Sequence, residues 1–211
     1  MTYKEVQDQL RGVVVVQCTP FLKEGGIDID GLQHNTRWII ERMKGRDAAL
    51  MVQGSNGEFF SQSEEEWKKG VEVVCKEAVG KLPVYVHTAQ CGTQETIQRS
   101  LFAQSLGADA VIVVLPYYMQ PMEEGMYLHY KKICEALDIG VICYNNTGVS
   151  GSWIRPKLMG EIARDMPNFI GVKENGSDII SYKISADHVG SHGVVLCGRG
   201  EEIFPFEARF G

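Results

Sequence analysis

The sequence predicts an α/β protein folded as a (β/α)8 barrel of the TIM type, and three observations lead there. Short runs rich in valine and isoleucine recur along the chain, and they are apolar throughout instead of alternating. Continuous apolarity of that length marks strands covered on both faces, as in parallel sheets. Amphipathic helical stretches separate the runs, giving strand–helix–strand units at a spacing of roughly thirty residues. No GxGxxG or GxxxxGK[ST] follows any strand. A doubly wound nucleotide-binding sheet therefore lacks its usual signature, and the barrel is the better reading.

The predicted strands are GVVVVQC (12–18), AALMVQG (48–54), LPVYVHT (82–88), DAVIVVLP (109–116), IGVICYN (139–145), FIGVKEN (169–175) and GVVLCG (193–198). All are expected to be buried on both faces. Between them, residues 30–44 place Leu32, Thr36, Ile39, Ile40 and Met43 on one helical stripe. Residues 63–78 open with Ser63 as a cap and with Glu64, Glu65 and Glu66, which suit the positive end of a helix. Residues 93–107 end at Gly107, a C-terminal stop. Helices are also predicted over 124–137 and 155–166, the second with Pro156 in its first turn. No linker or low-complexity segment divides the chain, so residues 1–211 read as one domain. A closed barrel needs eight strands. The sequence runs to FPFEARFG within the predicted helix after the seventh, so the eighth strand and the C-terminal helices are expected to lie in a part not included here.

A net charge of −6 and the lack of any basic cluster exclude a nucleic-acid surface. No stretch reaches the length of a membrane span, and the polar start MTYKEVQDQL is not a signal peptide. The six cysteines show no CxxC pair, which suits free buried thiols in a reducing cytoplasm. A small-molecule ligand is the expected partner.

Reactive groups of a barrel gather at the C-terminal ends of its strands. Those ends hold Thr19, the run Gly54-Ser55-Asn56-Gly57-Glu58, His87, Tyr117-Tyr118, Tyr144-Asn145, Lys173-Glu174 and Gly198-Arg199. Lys173 and Tyr144 end successive strands, which makes them neighbours. A lysine held among barrel valines is desolvated, and a neutral amine becomes available. Beside a tyrosine hydroxyl, such an amine can form an imine with a 2-oxo acid and use the iminium as an electron sink. The turn at Gly54, Ser55 and Asn56 can hold a carboxylate through hydroxyl, amide and backbone N–H groups. Glu58 and Glu174 are read as anchors of loop backbone, and Gly198-Arg199-Gly200 as a turn. His87 and Cys91 lack a third ligand at matching spacing and do not make a metal site. No cofactor is implied.

GSNGE at 54–58, LPYYMQP at 115–121, YN at 144–145 and GVKE at 171–174, in that order and spacing, resemble the dihydrodipicolinate synthase and N-acetylneuraminate lyase family. The likeness runs from TPF at 19–21 to GVVLCG at 193–198. It implies a barrel lyase whose Lys173 forms a Schiff base with pyruvate or a related 2-oxo acid. By the same resemblance Tyr144 transfers protons, and Ser55 and Asn56 bind the carboxylate. Tyr118 would cross a subunit interface to a relay through Ser55, which implies a homodimer or homotetramer. Two departures stand out. Asn56 replaces the family's hydroxyl residue. In YNNTGVSG (144–151), Val149 stands where dihydrodipicolinate synthases, with a pattern like YNVPxRTG, have an arginine for the incoming semialdehyde. An aldolase or dehydratase is therefore expected ahead of the synthase itself, and a non-catalytic barrel relative is the rival from another class.

Overall fold

The computed structural model describes residues 2–176 and 178–210. Seven strands form one sheet: β1 (Val13–Val16), β2 (Ala48–Val52), β3 (Val84–His87), β4 (Ala110–Val114), β5 (Gly140–Asn145), β6 (Phe169–Glu174) and β7 (Val194–Cys197). Their spatial order is the chain order and every pairing is parallel. Each crossover carries a helix, so the sheet curls into most of a (β/α)8 barrel with helices outside, as the sequence predicts.

The helices are α1 (Tyr3–Asp8), α2 (Ile29–Met43), α3 (Glu64–Ala78), α4 (Thr93–Ser105), α5 (Glu123–Glu135), α6 (Thr147–Ser150), α7 (Pro156–Asp165), α8 (Ile179–Val189) and α9 (Phe204–Glu207). Ser63 caps α3 by accepting from the Glu66 N–H, and the Glu66 carboxylate accepts in turn from the Ser63 N–H. Gly107 sits just beyond α4 at φ +84°, the left-handed conformation expected of a C-terminal glycine. The stripe on α2 faces inward through Leu32, Thr36 and Ile39. α1 packs against β5 and β6, with Val6 buried. Among the described residues, no helix is long and apolar enough to cross a membrane.

Strands β2 to β5 are buried along their whole length, and β6 everywhere except at Lys173. The outer two correct the expectation of uniform burial. Val13 of β1 is exposed and its other residues are only half-buried, as is all of β7. Among the described residues, nothing pairs with the outer edge of either strand, so valine composition alone does not bury them. The expectation of buried thiols also fails in part, because Cys18 and Cys91 are exposed and Cys197 is half-buried.

Parallel pairing fixes which side chains share a level. Val114 stands opposite Tyr144, Tyr144 opposite Lys173, and Lys173 opposite Leu196. Two residues lower on β6, Gly171 lets β7 approach. A Cβ there would stand 2.5 Å from the Val194 carbonyl oxygen, well inside contact distance.

Candidate active site

The site lies where β5 and β6 end. Tyr144 and Lys173 are the penultimate residues of their strands and are register partners. The Lys173 Nζ stands 4.4 Å from the centroid of the Tyr144 ring. A cation over a ring face is attracted by the ring's quadrupole. Burial acts in the other direction, stripping water from the ammonium, and it wins: the Lys173 pKa falls from the ordinary lysine range to about 8.

The residues around this pair are arranged to hold it still. Asn145 donates to Glu174 Oε2 and to the Ile154 carbonyl, each at 3.0 Å, and accepts from the Ile154 N–H. Glu174 also accepts from the Gly176 N–H at 2.7 Å and from Ser185 at 3.2 Å. It is therefore an anchor of loop backbone, consistent with its sequence reading, although burial pushes its carboxyl pKa up. Just beyond the end of β6, Asn175 donates to the Gly198 carbonyl, past the end of β7, at 2.8 Å. A Cβ at Gly198 would collide with Asn175 Oδ1 at 1.7 Å, so this glycine serves the turn that ties β6 to β7.

Across the barrel, His87 is buried with its ring 6.2 Å from that of Tyr144 and nearly perpendicular to it. Phe59 covers it at 4.2 Å. Burial, reinforced by the Lys173 and Arg99 charges, lowers the His87 pKa to about 3, so the imidazole is neutral at any physiological pH. It gives the Tyr144 ring a wall and adds no second positive charge beside the lysine.

Gly54, Ser55 and Asn56 form a tight turn after β2. Gln53 enters it at φ +60° and Glu58 leaves it at φ +54°, both left-handed and unusual for residues with side chains. The Ser55 hydroxyl is buried and has no hydrogen-bond partner among the described residues, while Asn56 is exposed. The two tyrosines after β4 part company. Tyr117 is half-buried, packs edge-on against Phe59, and bonds Gln90 at 3.0 Å. Arg99 can only donate, so the Gln90 amide oxygen belongs towards its guanidinium, with contacts of 2.7 and 2.8 Å. Arg99 in turn pairs with Glu64 and stacks on Trp67. Tyr118 is 90% exposed. Within one chain, then, Lys173 and Tyr144 stand together, the Ser55 turn carries a free hydroxyl, and Tyr118 is turned out to solvent.

Sequence reasoning passed over Asn146, whose Nδ2 donates to the Tyr144 hydroxyl at 2.7 Å. Its only sequence signal, Asn-Thr-Gly after a strand, reads as an ordinary turn.

A partly closed parallel barrel with a desolvated lysine beside a tyrosine at its strand ends defines a class of (β/α)8 proteins equipped for amine chemistry. Comparison with known proteins makes this particular. Residues 9–211 match the model of the dihydrodipicolinate synthetase family, and the chain belongs to that family. It is 36% identical over 165 residues to the 4-hydroxy-tetrahydrodipicolinate synthase of Methylococcus capsulatus, covering 78% of this chain and 55% of that protein. Among solved structures it resembles the Ruminococcus gnavus sialic acid aldolase, determined as a catalytic lysine mutant. That match has a TM-score of 0.88 and 28% identity, over 97% of this chain and 66% of the other. It also resembles the chloride-inhibited dihydrodipicolinate synthase of Acinetobacter baumannii in complex with pyruvate. There the TM-score is 0.80 and the identity 32%, over 87% of this chain and 62% of the other. The chain thus spans between about half and two thirds of the length of these relatives.

The depressed lysine is open to direct test. With a pKa of about 8, roughly one Lys173 in ten is a free amine at neutral pH, against fewer than one in a thousand for an ordinary lysine. Below pH 8 the folded and unfolded chains both hold the proton. Between about 8 and 10.4 the unfolded chain binds more, so this group's contribution to stability rises with pH across that window. Competitive labelling with trace acetic anhydride should show Lys173 reactivity half-maximal near pH 8, while exposed lysines keep rising beyond pH 10. A Lys173 midpoint at or above 10 contradicts the desolvated site.

Proposed function

We propose that this protein is an imine-forming (class I) lyase, an aldolase or dehydratase, that acts on pyruvate or a related 2-oxo acid through Lys173. The observation that carries the reading is the pairing of a lysine of lowered pKa with a tyrosine ring 4.4 Å from its Nζ at adjacent strand ends. Nζ adds to the C2 carbonyl. Tyr144 passes a proton to the resulting oxygen and takes one from nitrogen. Tyr144, protonated again by that exchange, gives the oxygen a second proton so that it leaves as water, the nitrogen lone pair closes the iminium, and the phenolate is reprotonated from solvent. The iminium then accepts the electron pair of a breaking bond at the neighbouring carbons. Ser55, with its unpartnered hydroxyl, and Asn56 and Gly54 in the same turn are assigned to the substrate carboxylate. The relatives lend support to the imine reading, since one was solved as a catalytic lysine mutant and another with pyruvate bound. A role as a non-catalytic barrel would leave the depressed lysine without a purpose.

Val149 bears on the second substrate. It lies on α6, 39% exposed, and offers no charge at the position where the synthase pattern has arginine. A charge-assisted contact of that kind contributes about 1.5–3 kcal/mol, so a semialdehyde carboxylate would be held poorly. The preferred acceptor or leaving fragment is one that needs no cation there.

Incubation with pyruvate and borohydride should fix one reduced adduct, mapped to Lys173. Lys173→Ala should abolish it with the fold intact, and Tyr144→Phe should slow its formation by about tenfold or more. Labelling spread over surface lysines, or none with any 2-oxo acid, would contradict the mechanism.

The assembly belongs to the same reading. Tyr118, Met119 and Met122 are 90%, 74% and 82% exposed on one loop. Apolar exposure of that extent marks an interaction surface, and we assign it to a second copy, with Tyr118 reaching the neighbouring site. Sedimentation should give a dimer or tetramer. A monomer at micromolar concentration would remove both the interface and the tyrosine's role.

A further inference from the structure

We propose that Asn146 is a positioning residue for proton transfer, setting the direction in which the Tyr144 hydroxyl gives its proton. The inference rests on the imine-forming reading of Lys173 and Tyr144, and it assigns a role to a residue next to but outside the reacting pair.

The hydrogen bonds at Asn146 admit one polarity. Asn146 Oδ1 accepts from the Gly148 N–H at 3.0 Å, capping α6. A backbone N–H can only donate, so the oxygen of the amide must face Gly148 and the nitrogen must face Tyr144. An amide nitrogen likewise only donates. The Tyr144 phenol oxygen, 2.7 Å away, is therefore the acceptor, and its own proton points elsewhere. The backbone of Asn146 is held as well, because its carbonyl accepts from the Val149 and Ser150 N–H groups and from the Ser150 hydroxyl. Half-burial of Asn146 and full burial of Asn145 just before it leave the amide little freedom.

This arrangement has two consequences for the imine step. The Tyr144 proton is kept free for the oxygen of the Lys173 adduct instead of being spent on a neighbour. Once that proton is given, the phenolate oxygen meets an N–H already aimed at it. A hydrogen bond to a charged oxygen is about twice as strong as to a neutral one, so the contact strengthens as the transfer proceeds. Donors fixed in advance lower the barrier because nothing has to reorganise when the charge appears.

Two substitutions separate this role from simple capping. Asn146→Asp keeps an oxygen for the Gly148 N–H, so α6 stays capped, but it turns a second acceptor towards Tyr144. The phenol would then donate into the carboxylate, and the phenolate would be repelled. Asn146→Leu removes donor and cap together. The measurement is the rate of borohydride-trapped pyruvate adduct at Lys173 in the full chain, as a function of pyruvate concentration, on variants whose circular dichroism matches the parent. Asn146→Asp should trap about tenfold or more slowly, and Asn146→Leu about three- to tenfold more slowly. The half-saturating pyruvate concentration should change less than about twofold in both. A capping role alone gives the reverse order, Leu slower than Asp, with Asp close to the parent. That order, or an Asp variant at the parent rate, overturns the assignment. Absence of any Lys173 adduct in the parent overturns the imine reading and this inference with it, whereas a normal parent with unchanged variants removes only the role of Asn146.

Discussion

The parallel register between β5 and β6 brings the Lys173 amine over the Tyr144 ring, and the remaining features of the site depend on that contact. A strand pair fixes the height of two side chains to within a fraction of a residue, which loops do not. Gly171 supports it by letting β7 close up behind β6. Glu174 supports it from the next residue, linking Asn145, Gly176 and Ser185 around one buried carboxyl group. The amine is thus held by backbone pairing and its neighbours by hydrogen bonds, in surroundings that disfavour its charged form.

Two other basic groups, His87 and Arg99, interact electrostatically in the same interior. His87 shares the barrel interior, yet burial keeps it neutral, so it adds bulk against Tyr144 and no repulsion. The charge of Arg99 is taken up by Glu64, its guanidinium carbon stands 4.6 Å from the centroid of the Trp67 ring, and Gln90 links it to Tyr117. Arg99 is therefore paired and His87 neutral, and Lys173 is the group at the strand ends whose charge burial disfavours.

Much of this is legible in the chain. An amine and a phenol at the ends of two consecutive apolar runs can only be neighbours if those runs pair in parallel, and the helices between them make that pairing. What escapes is whatever depends on partners distant in sequence. Val13–Val16 and Val194–Cys197 look as buried as Ala110–Val114, but each has one partner strand among the described residues and is partly open there, and composition does not encode pairing. Helix α8 is missed because its apolar residues face all ways: Ile180 and Ile184 are exposed while Tyr182 and Val189 are buried, so no single stripe marks it. Asn146 is missed because its two hydrogen bonds, one local and one to a phenol, cannot be told apart from those of any turn asparagine.

The central claim is that Lys173 is a nucleophile that bonds covalently to a 2-oxo acid. A crystal structure of the full chain soaked with pyruvate tests it most directly. Continuous density from Lys173 Nζ to C2 of the ligand, planar at nitrogen, with the carboxylate against Ser55 and Asn56 and the Tyr144 hydroxyl within hydrogen-bonding reach, is the result this account predicts. Pyruvate bound away from β6, or lying beside an ammonium with no bond to it, would contradict it.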